Sequence, residues 1–251
     1  MTLTIFITGA TAGFGKATAE RLVADGHRVI ATGRRRDRLD SLAAQLGPRL
    51  LPVTLDVTDA EAVASLPGSL PEDWREIDVL VANAGLALGL GPAWQNKLED
   101  WNQMVATNVG GVLGPVRALL PGMVERDRGH VVTLGSVAGF YPYPGGNVYG
   151  GTKAFVAQFM LNLKADLIGT GVRVTNIEPG LVGGSEFSNV RFGDDEKAAA
   201  IYRNADPLLP EDIAETIAWV IGLPERVNIN RIEMMPRTQA PAGLAVKRRE
   251  D

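Results

Sequence analysis

The chain has 251 residues, 45% of them hydrophobic, a formal charge of −4 and no cysteine. Such a length and apolar content close a large core in a single α/β domain, and the interspersed charges leave no basic surface for binding the many phosphates of a nucleic acid. Without cysteine there are no disulfides, thiolate nucleophiles or thiolate metal sites; His27 and His130 stand far apart in sequence, so nothing requires a metal.

Met1-Thr2-Leu3-Thr4 runs straight into the first apolar stretch, which leaves no room for a charged leader, and no run is long enough to span a bilayer. The expected compartment is the cytoplasm, with no membrane partner. Strands are expected at Leu3 to Thr8, Arg28 to Thr32, Leu50 to Asp56, Val79 to Asn83, His130 to Leu134 and Val172 to Glu178, with a weaker one at Ile229 to Met235. Most are nearly continuous in hydrophobicity rather than alternating, which marks strands covered on both faces. The fold predicted is α/β: a doubly wound parallel sheet of the Rossmann type with helices on both faces.

Between the strands, Phe14 to Asp25 reads as a helix closing on Gly26, and Arg36 to Leu46 as one closing on Gly47 before Pro48. Pro115 and Pro121 interrupt the stretch from Trp101 to Arg126 and predict a kink or an early end there. Gly183 to Asp206 lacks clear periodicity and follows the sixth strand, where segments beyond the carboxyl ends of a parallel sheet face the ligand. It is the expected substrate lid. Pro210-Glu211-Asp212 opens another helix with acids in its first turn. Gln239 to Asp251, ending in the charge run Lys247 to Asp251, reads as a solvated tail or one packed on a neighbouring subunit.

Gly9, Gly13 and Gly15 fall between a strand and a helix, where glycine permits a tight turn and lets backbone N–H groups approach pyrophosphate oxygens. About 20 residues on, where a carboxylate would bind the 2′-hydroxyl of NAD, stands Thr32-Gly33-Arg34-Arg35-Arg36. Guanidinium groups suit a 2′-phosphate, so NADP is the expected cofactor. Arg34, Arg35, Arg36 and Arg38 also read as a solvated helix start. Arginines there oppose the macrodipole, which favours a bound anion for at least the first two.

Tyr149 and Lys153, four apart, share a helix face. An ammonium beside a phenol stabilises its anion and moves it toward working pH, and Ser136, after the fifth strand, is placed to bond the same substrate oxygen. The whole series resembles the short-chain dehydrogenases/reductases: Thr8-Gly-x-x-x-Gly13-x-Gly15, Asp56, Asn83-Ala84-Gly85, Asn108, Ser136, Tyr149-x-x-x-Lys153 and Pro179-Gly180.

That resemblance implies Tyr149 as general acid/base, Ser136 as a ligand of the substrate oxygen, Lys153 on the nicotinamide ribose and Asn108 supporting a water in a proton relay. It also implies a cofactor lying along Gly9, Ala10, Thr11, Ala12, Gly13, Phe14 and Gly15, with Asp56 and Val57 beside the adenine and Asn83 along its path. Pro179, Gly180, Leu181 and Val182 would enclose the nicotinamide. Ala82 departs from the second asparagine of many members, at a position beside the cofactor rather than in the reaction. Ala31 to Arg35, Gly145 to Gly150, Glu178 to Phe192, Asn228 to Asn230 and Glu233 to Pro236 resemble the NADP-dependent 3-hydroxy acid dehydrogenases, described also as serine or L-allo-threonine dehydrogenases and malonic semialdehyde reductases.

The expected substrate is a small 3-hydroxy acid or the corresponding semialdehyde, and Arg191 is the candidate ligand for its carboxylate. The other reading pairs Arg191 with Asp194 or Asp195 on the surface. Tyr141, Tyr143, Phe187 and Phe192 either shape the pocket or simply pack. A broad carbonyl or 3-oxoacyl reductase is the alternative enzyme, and an NADP-sensing protein without turnover the alternative outside catalysis. Phe155, Val156, Phe159, Met160 and Leu163 make the Tyr149 helix apolar on more than one side. The resemblance places that helix and Trp101 to Leu120 at the seam of a homotetramer. His27 and His130, adjoining strands, are expected to be structural or exposed.

Overall fold

The computed structural model describes residues 2–203 and 205–241. Of the expected tail, Gln239 is not simply solvated but accepts the Leu181 N–H at 2.7 Å, and 242–251 lie outside the described residues. Seven strands form one parallel sheet: β1 (Thr4–Ile7), β2 (Arg28–Gly33), β3 (Leu50–Thr54), β4 (Val79–Ala82), β5 (Gly129–Leu134), β6 (Val172–Pro179) and β7 (Arg231–Met234). Their order is β3-β2-β1-β4-β5-β6-β7. All seven expected strands are present, with ends shifted by a residue or two.

Side chains alternate across a strand, and β1 uses that alternation to feed two cores. Ile5 and Ile7 pack with Leu22 of α1 (Gly13–Ala24), Leu39 of α2 (Arg36–Leu46) and Ile217 of α9 (Pro210–Gly222). Phe6 points the other way, into a cluster with Leu66 of α3 (Ala60–Ser69), Val116 of α5 (Gly111–Glu125) and Met160 of α6 (Asn147–Asp166). Because β2 and β3 wind away from β1 on one side and β4 on the other, the carboxyl ends of β1 and β4 open a crevice where the winding reverses.

Of the kink or early end expected at Pro115 and Pro121, the early end is corrected: α5 runs through both. A proline removes one N–H from the helix ladder, and here burial of Val112, Pro115, Val116, Leu119 and Met123 along one face offsets that loss. The irregularity lies upstream instead, in a π-helical turn at Ala106–Gly110 that separates α4 (Leu98–Val105) from α5. Within 183–206 lie two short helices, α7 (Phe187–Phe192) and α8 (Asp195–Tyr202). Neither is long enough to show a helical period in the sequence. Asp212 caps α9 by accepting the Leu209 N–H at 2.8 Å, as its place after Pro210 suggests.

His130 is buried on β5, its Nε2 2.8 Å from Thr175 Oγ1 and its Nδ1 without a partner among the described residues. Burial, with the Arg173 charge adding to it, holds the imidazole down at about 3 against an ordinary value of 6.5. The neutral ring therefore stabilises the fold fully above the ordinary value, and this stability is lost as pH falls toward the folded value. We expect His130 to contribute a fall in unfolding free energy of about 1.4 kcal/mol per pH unit between about pH 6 and pH 4. His130→Gln should flatten that part of the profile in urea melts; an unchanged slope would show that the ring is not the responsible group.

Candidate active site

The loop after β1 needs its glycines. Gly9 and Gly13 hold φ of +69° and +51°, in the left-handed region. A methyl on Gly15 would run into the Gly9 carbonyl oxygen and stand 2.5 Å from Asn83 Nδ2. Ala12 at the start of α1 supplies no capping acceptor, and the first turn holds no acid. The free N–H groups and positive end of the helix dipole are thus left for an anion. This is a physical fit for a pyrophosphate. The loop is braced by Thr8, whose buried Oγ1 accepts the N–H of Asn83 at 3.0 Å and of Ala84 at 2.9 Å. Asn83 Nδ2 returns bonds to the carbonyls of Thr8 at 2.8 Å and Gly9 at 3.1 Å.

From this loop a groove of about 340 Å³ runs past Thr11, Ala12, Phe14, Arg34, Arg35, Asp56, Val57 and Asn83 to Tyr149 and Lys153. Ala10 and Gly15 shape the turn rather than line this groove: Ala10 is buried and donates its N–H to Thr32 O at 2.8 Å. At the far end the two arginines differ. Arg34 is exposed beside Asp56 and has no hydrogen-bonded partner among the described residues. Arg35 is tied to Thr11 Oγ1 at 2.9 and 3.2 Å and to Glu186 at 2.8 Å. Arg38 reaches the other oxygen of Glu186 at 2.8 Å, and Arg36 pairs with Asp40. Burial works to raise the Asp56 carboxyl, but two hydrogen bonds from Thr58 and the Arg34 charge outweigh it and leave the group below the ordinary range.

At the other end, Ser136, Tyr149, Arg191 and the Pro179, Gly180, Leu181, Val182 segment line a second cavity of about 350 Å³ that meets the groove at Tyr149. Ser136 follows β5; its Oγ accepts the Ala138 N–H at 3.1 Å and lies 3.5 Å from Pro179 O. Tyr149 is buried on α6, its ring 5.8 Å from that of Phe187. Burial pushes the phenol up to about 12, against the opposing effects of the Ser136 side chain and the Arg191 charge. Lys153 donates to Leu134 O at 2.7 Å, stands 5.8 Å from the Tyr149 ring centroid, and is lowered by burial to about 8. Without a bound cofactor, desolvation outweighs the charges around the phenol, and the guanidinium on α7 opposes it beside the Ser136 hydroxyl.

Arg191 pairs with neither Asp194 nor Asp195, which engage Lys197 and Asn189 instead. Its Nε donates to Gly89 O at 3.1 Å and its Nη2 to Tyr143 Oη at 2.9 Å. The guanidinium carbon stands 5.5 Å from the ring centroids of both Tyr143 and Tyr149. Asn108, in the π-helical turn, holds both backbone groups of Leu86 at 2.8 Å and donates to Thr152 Oγ1 at 3.1 Å. Glu186 escaped sequence reasoning because its partners lie 148 and 151 positions away and no local pattern marks it. Tyr143 was visible only as one aromatic among several.

A family model described as short chain dehydrogenase matches residues 3–194. The chain belongs to that family. It is 60% identical over 245 residues, 97% of this chain and 99% of the relative, to the NADP-dependent 3-hydroxy acid dehydrogenase YdfG of Salmonella typhi. Over 249 residues, 99% of each chain, it is 52% identical to the serine 3-dehydrogenase of Rhizobium radiobacter. The fold matches a serine dehydrogenase solved in its closed form with NADP+ at a TM-score of 0.97, with 56% identity over 98% of this chain and 100% of that one. In this dehydrogenase no helix among the described residues is long and apolar enough to cross a membrane, and none of its described His, Asp or Glu residues cluster as a metal site.

Arg34 is the guanidinium left uncommitted, and a charge-assisted bond to it is worth about 1.5–3 kcal/mol. Arg34→Ala should raise KM for NADP by about 10- to 100-fold while changing KM for NAD little. An equal rise with both cofactors would remove Arg34 from 2′-phosphate recognition.

Proposed function

We propose that this short-chain dehydrogenase uses NADP to oxidise small 3-hydroxy acids at the 3-position, or to reduce the corresponding semialdehydes. The observation that carries the reading is Arg191 standing 5.5 Å from the ring centroid of Tyr149 in one cavity, which puts a cation for a carboxylate beside a phenol for a hydroxyl. The names of the relatives at 52% to 60% identity support the same substrate class. When bound, NADP supplies the hydride acceptor or donor.

The chain's own residues do the rest. The N-terminal N–H groups of α1 and the glycine loop hold the pyrophosphate, and Arg34 and Arg35 hold the 2′-phosphate. Ser136 Oγ and Tyr149 Oη grip the substrate oxygen from two sides of the cavity. Tyr149 takes the hydroxyl proton in oxidation and returns it in reduction. Lys153 adds positive charge behind the phenol, and Asn108, fixed on Leu86, supports the water that leads the proton out. Arg191 binds the substrate carboxylate and so points the 3-carbon at the hydride path. Phe187 and Tyr143 exclude water, and 183–206 serves as the lid of a single domain.

We infer further that the enzyme is a cytoplasmic homotetramer. Apolar side chains left exposed in the single chain support this: Val105 on α4, Phe155 and Leu161 on α6, and Trp219 on α9. Dihedral symmetry would cover such residues at two distinct self-complementary interfaces. Sedimentation should return four chains at micromolar concentration, and a concentration-independent monomer would end this reading.

For the chemistry, Tyr149→Phe should cut kcat by at least about 1,000-fold with NADP binding intact. Arg191→Met should raise KM for serine, allo-threonine and 3-hydroxyisobutyrate about 10- to 100-fold and leave KM for neutral alcohols nearly unchanged, while loss of the charge beside Tyr149 lowers kcat for both classes alike. Equal changes of KM on both substrate classes would favour the broad carbonyl reductase instead. Full turnover by the phenylalanine variant would refute proton transfer by Tyr149.

A further inference from the structure

Behind the substrate cavity lies a carboxylate with no part in the proposed reaction. Glu178 is 0% exposed on β6, directly before Pro179. Its Oε1 accepts from Asn176 Nδ2 at 2.8 Å, and Asn176 Oδ1 accepts from Thr133 Oγ1 at 2.8 Å. Its Oε2 accepts from Arg231 Nε on the edge strand β7 at 2.6 Å. Taking a carboxylate wholly out of water is costly unless its lone pairs are used, and burial does raise this group above its ordinary value, with the Arg231 hydrogen bond opposing it. A chain seeking only stability would fill such a place with an apolar side chain.

The pair bears on the turn that begins at Ser136. On its inner side, Gly135 donates to Ile177 O at 2.7 Å and packs so tightly that a methyl there would meet the Asn176 amide at 2.8 Å and Glu178 Cγ at 3.0 Å. On its outer side, the Arg231 guanidinium lies 3.8 Å over the ring of Phe140 and 3.3 Å from Glu233. Both oxygens of Glu233 accept from Tyr141 Oη at 3.1 Å. Between these contacts the backbone makes a tight turn, with Gly139 bonded to Ser136 O and Phe140 and Tyr141 both bonded to Val137 O.

We infer that Glu178 and Arg231 are positioning residues for Ser136: the buried carboxylate fixes the guanidinium, and the guanidinium clamps Phe140 so that the Ser136 hydroxyl is held at the substrate oxygen. Strand β7 thereby takes part in the reaction without touching the substrate. A planar, stackable cation is needed, which is why arginine rather than lysine suits the place. The inference rests on the role of Ser136 given above.

The test is a double-mutant cycle on the purified enzyme saturated with NADP. Arg231→Met should lower kcat by about 10-fold or more, as small displacements of a substrate-holding group do, with KM for NADP unchanged. In a Ser136→Ala background the same substitution should change kcat by less than about 2-fold. Phe140→Leu keeps the Glu178–Arg231 pair and removes only the stacked ring, so it probes the clamp where Arg231→Met fails to fold, and it should show the same non-additivity. Equal losses in both backgrounds would overturn the clamp while leaving Ser136 in its role. A Ser136→Ala enzyme with full kcat would instead overturn the role of Ser136, and the clamp with it.

Discussion

The chemistry of this site depends on keeping one phenol out of water. Tyr149 sits under Phe187 and beside Tyr143 and Arg191, and burial lifts it to about 12. A phenol at that value is a loaded acid for reduction but a poor base for oxidation unless positive charge relieves it. The value of about 12 already contains the lowering by the Ser136 hydrogen bond and the Arg191 charge, and a cation within about 6 Å favours the phenolate. Arg191 stands at 5.5 Å and Lys153 at 5.8 Å from the ring. In the reaction proposed above, a carboxylate docked on Arg191 would take away part of its charge. Lys153, still largely protonated at neutral pH with a value near 8, is then the cation that remains. The two divide the work because only one of them can also bind an acid.

Sheet topology brings these groups together without long loops. Parallel strands deliver all their carboxyl ends to one edge, so Gly9 after β1, Asn83 after β4, Ser136 after β5 and Pro179 at the end of β6 arrive as neighbours. The bonds between Thr8 and Asn83 lock two of these ends to each other, and Asn108 locks Leu86 to the helix below. The π-helical turn holding Asn108 carries one residue more than an α-helical turn, and such turns recur at functional sites. Local irregularity here serves positioning.

The elements legible in the sequence were those whose signal is local. Continuous apolar runs gave the strands, Gly26 and Gly47 the helix ends, and the spacing of Tyr149 from Lys153 a shared face. The Gly9 to Gly15 loop was legible for the same reason, since its conformational demand falls on the residues themselves. Pro115 and Pro121 misled because a local rule about helix breaking met a tertiary fact, the buried face of α5. Glu186, Tyr143 and the Glu178–Arg231 pair were hidden for another reason. Each acts on a group 48 to 151 positions away, and no periodicity connects such positions. The spacing of Lys153 from Tyr149 gives a common face but not the desolvation that competes with charge.

The segment from Glu186 to Arg191 joins the two ends of the site. Glu186 holds Arg35 and Arg38 at the 2′-phosphate end, and five residues on Arg191 holds Tyr143 and Gly89 at the substrate end. The helix α7, which follows Glu186 and carries Arg191, has six residues, too few to be stable alone. It must be sustained by its contacts. The Glu186 ion pairs are well exposed, and exposed pairs are worth only about 0–1 kcal/mol each, so the latch at the cofactor end is weak. The contacts of Arg191 are more enclosed, with the Gly89 carbonyl, the Tyr143 hydroxyl and the Tyr149 ring around one guanidinium. The short helix is therefore held chiefly at its substrate-cavity end, by the same cation that opposes burial at Tyr149.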